Sequence, residues 1–340
     1  MSAQTAGPET LGHLSEEPPP VDPNSKQAKT ITGKSPLRIA FGRLARDKIA
    51  VVCAAVVLFF VLVAVFAGAI CSIFNVDTET VLATTRVDFL NNGLPLKGPP
   101  NHGFDPAHPF GVAPNTGNDN LAFWVYGCRT SLMIASIATL FASVLGVSLG
   151  LLAGFLGGPV DKIISFFTDF FLTVPFLLAA LTIAPIVSQR FATSPHYARI
   201  QLIDLIVVLS VFGWMGIARL IRGEVLSLRE REFIQAARVL GMPTRRILVK
   251  ELLPNLVAPI VVSISLMLPA FVAAEAGLAF LGIGVTSGIS WGQTINTASN
   301  FFEVYPLFLW EPLIGIVALV LALNLLGDAI RDALDPKTRR

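Results

Sequence analysis

Residues Ile49 to Ser72 read IAVVCAAVVLFFVLVAVFAGAICS, with no charged side chain anywhere in the stretch. A helix rises ~1.5 Å per residue, so a block of this length crosses the ~30 Å hydrocarbon core of a bilayer. Working outward, similar apolar blocks occupy about 130–156, 162–187, 203–221, 255–283 and 308–329. Composition agrees: 53% of the residues are hydrophobic and 14% charged, whereas a soluble domain carries roughly 25% charge. The expected fold is all-α, a polytopic membrane protein with six transmembrane helices.

Residues 1–35 are rich in Pro, Ser, Thr, Gly and Glu, with almost no apolar period, and read as a disordered tail. No signal peptide is visible in them. Ser35-Pro36 reads as a cap with proline at the first helical position. The basic, half-apolar stretch Leu37 to Lys48 suits a short helix lying on an anionic membrane surface. About 36–340 then form one membrane domain, with a long loop over about 73–125 and a charged, helical segment over about 222–254.

Orientation follows from lysine and arginine, which gather on the cytoplasmic side. With the N-terminus inside, about 20 of the 25 fall in cytoplasmic segments, and Arg86, Lys97, Arg129, Arg190 and Arg199 fall outside. Both termini and the 222–254 segment are therefore expected in the cytoplasm.

Motifs for catalysis are missing from the chain. Gly33-Lys34-Ser35 resembles the end of a phosphate loop, but Ala28 stands where its first glycine is needed. The histidines (His13, His102, His108, His196) fall in the tail or in external segments, and Cys53, Cys71 and Cys128 lack paired spacing. No enzyme activity, cofactor or metal site is expected. Gly146, Gly150, Gly154 and Gly158 recur every four residues, a face on which a second helix can approach closely. Asp169 and Glu275 are charges at membrane depth and call for a partner or a wet cavity. Asn324 is expected to bond across helices.

The segment Ser227 to Asn255 carries the most information. Leu228 to Leu240 reads as one helix stopped by Gly241, and Pro243 opens a second that runs to Pro254. Ala236 and Ala237 are small in an otherwise bulky, charged helix, so another protein's surface can come close.

The run Glu232-Phe-Ile-Gln-Ala-Ala-Arg-Val-Leu-Gly241, followed by Ile247 and Leu253-Pro254, resembles the cytoplasmic signature of ATP-binding-cassette importer permeases. Tyr126 to Leu132, Gly157 to Asp161, Pro175, Phe280 to Gly284, Ser290 to Gly292, Asn324 to Asp328 and Arg331 to Pro336 look like the dipeptide/oligopeptide branch, over about 300 residues. The resemblance implies a type I importer permease fold, in a prokaryotic inner membrane and surrounded by lipid. It also implies a second permease, two ATPase subunits that bind the ATP, and an external substrate-binding protein. Nucleic acid has no place in this scheme. Glu232, Gln235, Ala236, Ala237, Gly241, Ile247, Leu253 and Pro254 would then form the ATPase-coupling site, and the 73–125 loop would meet the binding protein. Gln235 stands where the signature often has Glu, Ala279 where it has Ser, and the Phe110 to Asp119 stretch departs from the pattern. The implied cargo is a short peptide; the same branch also moves nickel chelates and some oligosaccharides. The rival from another class is a proton-coupled transporter using Asp169 and Glu275, for which broken helix pairs would speak.

Overall fold

The computed structural model describes residues 41–78, 85–284 and 288–335. The expected disordered tail, the Gly33-Lys34-Ser35 triplet and the Ser35-Pro36 cap lie outside these residues. Phe41 to Leu44 form a helical turn. Asp47 then caps α1 (Lys48–Val65), its carboxylate accepting the Ile49 and Ala50 N–H groups at 2.9 and 3.4 Å. Those are two of the donors that a helix start leaves unpaired. A break at Phe66 separates α1 from α2 (Ala67–Phe74), so the first apolar block is two helices.

Residues 85–119 are expected as a loop, and part of the segment is packed against the bundle while its tips are exposed. They hold a small hairpin, β1 (Val87–Asp88) antiparallel to β2 (Leu94–Pro95), with Val87 opposite Pro95. Val87, Leu94, Val112 and Ala113 are buried. The hydroxyl of fully buried Tyr305 donates to Phe110 O at 3.5 Å, and burial raises that phenol above its ordinary pKa.

Helix α3 (Asn120–Leu156) follows, starting well before the expected boundary near 130. The Asp119 carboxylate sets this start, accepting from Ala122 N at 3.0 Å with one oxygen and meeting His108 Nδ1 at 2.6 Å with the other. The third expected span, 162–187, is corrected to two helices, α4 (Gly158–Thr173) and α5 (Phe176–Arg190), bent by 86°. Proline disfavours a helical conformation in the residue before it, and Val174, ahead of Pro175, is extended. Five helices are long and apolar enough to cross alone, or six crossings if the bent pair is one span.

Helix α6 (Tyr197–Leu228) precedes a short helix α7 (Glu232–Val239); α8 (Val257–Phe280), α9 (Trp291–Ser299) and α10 (Pro306–Leu334) complete the chain. The parallel pair α3 and α6 forms the centre. A Cβ on Gly146 would stand 2.6 Å from Trp214 O, one on Gly150 2.6 Å from Ala218 O, and one on Gly154 2.8 Å from Val225 Cβ. The expected close approach is thus made within this chain. Gly158 is not part of it, because Gly157 ends α3 at φ 66° and nothing stands within 4 Å of a Cβ on Gly158.

At the end of the bundle that carries residues 85–119, Phe60, Trp124 and Trp291 pack ring to ring, with Phe110 against Trp124. Trp291 Nε1 donates to Trp124 O at 2.8 Å, and Trp124 Nε1 to Glu311 O at 3.1 Å, which ties α9, α3 and α10 together. Glu275 is fully buried beside Ser131 and Ser290, with neither carboxyl oxygen in a well-formed hydrogen bond. Asn324 bonds within its own helix, donating to Val320 O at 2.9 Å. The expected bond across helices is therefore replaced by a local one, since its carbonyl partner is one turn away.

Candidate functional site

The opposite end of the bundle carries the segment that the sequence singles out. Leu228 to Leu240 is not one helix: α6 stops at Leu228, residues 229–231 turn, and α7 begins at Glu232. Gly241 ends α7 as expected. It takes φ 72°, its N–H donates to Arg238 O and the Met242 N–H donates to Ala237 O, both at 3.0 Å. That arrangement is the usual C-terminal stop, in which a glycine without Cβ accepts the left-handed conformation at little steric cost. Pro243 then caps a turn over Thr244–Arg246, a π-helical segment runs over Ile247–Leu252, and a last turn over Leu253–Asn255 leads into α8.

Burial sorts the eight candidate residues. Ile234, Ala237 and Ile247 face inward, packing with Phe155, Ile221, Val225, Leu252 and Leu256. Glu232, Gln235, Ala236, Gly241 and Pro254 are exposed, and Leu253 is half-buried. Of the two alanines, only Ala236 is presented outward; Ala237 is 4% exposed and serves the chain's own packing. Val239 is 88% and Leu240 79% exposed, and Phe233 joins them. This leaves a small apolar platform around Ala236 on the outer face of the segment. Gln235, at the surface, bends back toward the preceding turn, donating through Nε2 to Glu230 O at 3.2 Å.

Three arginines tie the elements at this end together, and one of them, Arg238, lies on the platform helix itself. Arg222 on α6 grips Asp161 in the first turn of α4 with two hydrogen bonds, Nε to Oδ1 at 2.5 Å and Nη2 to Oδ2 at 2.7 Å. Such a fork is directional as well as charged. Arg229 donates to Gly154 O at 3.2 Å, and Arg238 of α7 lies 4.7 Å over the Phe155 ring. Asp169 pairs with Arg219, both exposed, so the first membrane-depth carboxylate has its partner on α6. Nothing in the sequence singles out the contacts of Asp161, Arg222, Arg229 and Arg238. The arginines read only as a topology signal, and a pairing across α4 and α6 has no signature in local spacing.

Arg222→Ala is expected to lower the midpoint of thermal unfolding of the purified protein by a few degrees, because a partly exposed fork contributes about 1 kcal/mol. Arg222→Lys should recover little, since an ammonium cannot fork. An unchanged midpoint would remove the fastening role.

This end of the chain coincides with a family signature. Residues 146–340 match the model for the binding-protein-dependent transport system inner membrane component. The chain belongs to this family. It is a multi-pass inner-membrane permease subunit of an ATP-driven importer. Residues 35–84 of the permease also match the N-terminal TM domain of oligopeptide transport permease C. The dipeptide transport system permease protein DppC of Alkalihalophilus pseudofirmus is 34% identical over 320 residues, spanning 94% of this chain and 96% of its own. The oligopeptide transport system permease protein OppC of Haemophilus influenzae is 30% identical over 225 residues, 66% of this chain and 69% of its own. The permease fold also resembles that of a chain of the MetNI methionine ABC transporter in an inward-facing conformation. The TM-score is 0.50 at 23% identity, over 63% of this chain and 96% of that one.

Proposed function

We propose that this permease forms half of a pathway for short peptides, the other half being a second permease, and that residues 232–254 seat an ATPase subunit. The observation that carries the coupling role is the platform itself. It combines exposed Phe233, Ala236, Val239 and Leu240 with an inner face that is anchored to α3 and α6. A contact surface needs an apolar centre that a partner can dry, and a lever needs a stiff attachment. Closure of the ATPase dimer on ATP would push on α7. The Arg238–Phe155, Arg229–Gly154 and Arg222–Asp161 contacts would pass the movement to α3, α4 and α6. The ATP belongs to the partner ATPases in this scheme.

The basic end, with Arg219 to Lys250 and both termini, faces the cytoplasm by the lysine and arginine bias. The 85–119 segment then faces outward to meet a binding protein. Peptide cargo is supported by relatives that carry dipeptide and oligopeptide transport in their names. The broken pair α4–α5 alone would suit a proton-coupled carrier, but Asp169 is paired with Arg219 and the family is driven through partner subunits.

Purification of the tagged chain in mild detergent tests this. Co-purification of a second permease and ATPase subunits is expected, with the ATPase lost from a Gly241→Arg variant. A chain that purifies alone even after crosslinking would contradict the proposal.

A further inference from the structure

A cavity of about 240 Å³ lies between α5, the first turns of α6 and the end of α8. It is separate from the platform, at the opposite end of α6. Alanine and aliphatic side chains form part of the wall and Ser188, Gln189, Tyr197, Gln201 and Asp204 the rest, with both kinds on α5 and on α6. The polar wall is built: buried Gln201 donates through Nε2 to the Tyr197 hydroxyl at 2.9 Å and to Ser188 Oγ at 3.4 Å. Asp204, three residues on along α6, is half-buried and takes part in none of the ion pairs among the described residues. Arg190 and Arg199 do not line the cavity.

The end of α8 closes the space. Gly282 takes φ 80° and Ile283 N donates to Leu278 O at 2.8 Å, and all three residues line the cavity. The last carbonyls of α8 are already engaged, those of Gly277 to Ala279 by the cap and that of Phe280 by Asn296 Nδ2, so the negative charge of the lining comes from Asp204. Low polarity in the adjoining apolar lining strengthens its pull on a cation. An anionic group beside an apolar wall matches one end of a free peptide: an ammonium with three donors next to a first side chain.

We propose that this cavity receives the α-amino end of a peptide in transit, with Asp204 accepting from the ammonium and the apolar wall holding the first side chain. The proposal rests on the peptide reading above. It is tested in the complete complex, with both permeases, the ATPases and the binding protein, reconstituted in liposomes. Uptake of a labelled dipeptide and ATP hydrolysis stimulated by the loaded binding protein are measured together. Asp204→Asn is expected to lower uptake at least ~10-fold with stimulated hydrolysis within about twofold of wild type, and Asp204→Glu to recover part of the uptake. Unchanged uptake in Asp204→Asn, beside an active wild type, overturns the cavity assignment and leaves the peptide reading intact. A wild-type complex that hydrolyses ATP but takes up no dipeptide overturns the peptide reading and this proposal with it. Because the variant could fail to assemble, a dipeptide with a diazirine on its first residue is also irradiated in the wild-type complex during turnover. Adducts on Ser188, Tyr197 or Gln201 support the site, and adducts confined to other helices overturn it.

Discussion

Replacing Gly241 with arginine is expected to abolish uptake while the chain still inserts and folds. Gly241 sits at φ 72° just past α7, with nothing within 4 Å of a Cβ built on it. A side chain there meets no wall of its own protein, so the cost to the fold is the left-handed backbone alone, roughly 1–2 kcal/mol. The consequences fall outside the chain. The introduced guanidinium would project beside Val239 and Leu240, adding bulk and an unpaired cation to the apolar platform. A misplaced charge at the centre of a contact can cost about 2 kcal/mol or more, a loss of at least ~30-fold in partner affinity. Gly241→Ala separates the two effects, since it brings the strain without the bulk and should keep most of the uptake. Membrane abundance and dipeptide uptake in cells check both variants. Normal uptake by Gly241→Arg would contradict the coupling role of this turn.

Gly150→Leu is expected to have the largest effect on the fold itself. The Cβ alone would stand 2.6 Å from Ala218 O and 2.9 Å from Ile221 Cβ. Backbone oxygen cannot rotate away as a side-chain tip can, so α3 and α6 must separate along their contact. Overpacking in a close-packed interior costs roughly 1–3 kcal/mol where neighbours can adjust; here the cost should reach at least about 3 kcal/mol, a large part of a protein's marginal stability. The variant should fail to accumulate in the membrane. Gly158→Leu is the control: nothing stands within 4 Å of its Cβ position, although φ is 58°, so only the strain applies. Immunoblots of membrane fractions decide the matter, and equal abundance of Gly150→Leu and wild type would contradict the packing.

Membrane class and most crossings were legible because an apolar block near the thickness of the bilayer has few other uses. Helix ends were not. Arg129 makes the span read as starting after it, yet α3 begins at Asn120 because Asp119 supplies a cap and Trp124 a half-buried ring packed on Trp291. The bend at Pro175 was present in the sequence as a proline, but Pro185, Pro269 and Pro312 lie inside helices of the same chain. In apolar spans, a proline by itself does not tell a break from a continuing helix. The glycine stripe was readable as a close approach, and only Gly158 fell off it, because Gly157 ends the helix first.

Within the candidate site, the residue set came from resemblance, but the roles divide by geometry. Ile234 and Ala237 are three apart and so share a helix face, the inward one, which leaves Ala236 as the alanine on the outer face, with Phe233, Val239 and Leu240. That division could have been drawn from the spacing. The arginine contacts could not, because Arg222 and Asp161 lie 61 positions apart and meet only once α4 folds back along α6.

The most direct test of the coupling assignment is a photocrosslink from Val239, the most exposed of the large apolar side chains of α7, in the complete complex. A benzophenone amino acid at this position is expected to give an adduct with an ATPase subunit, and one placed at Ala237 is not. Adducts only with lipid or with the substrate-binding protein would contradict the assignment, and with it the cytoplasmic placement of the 222–254 segment.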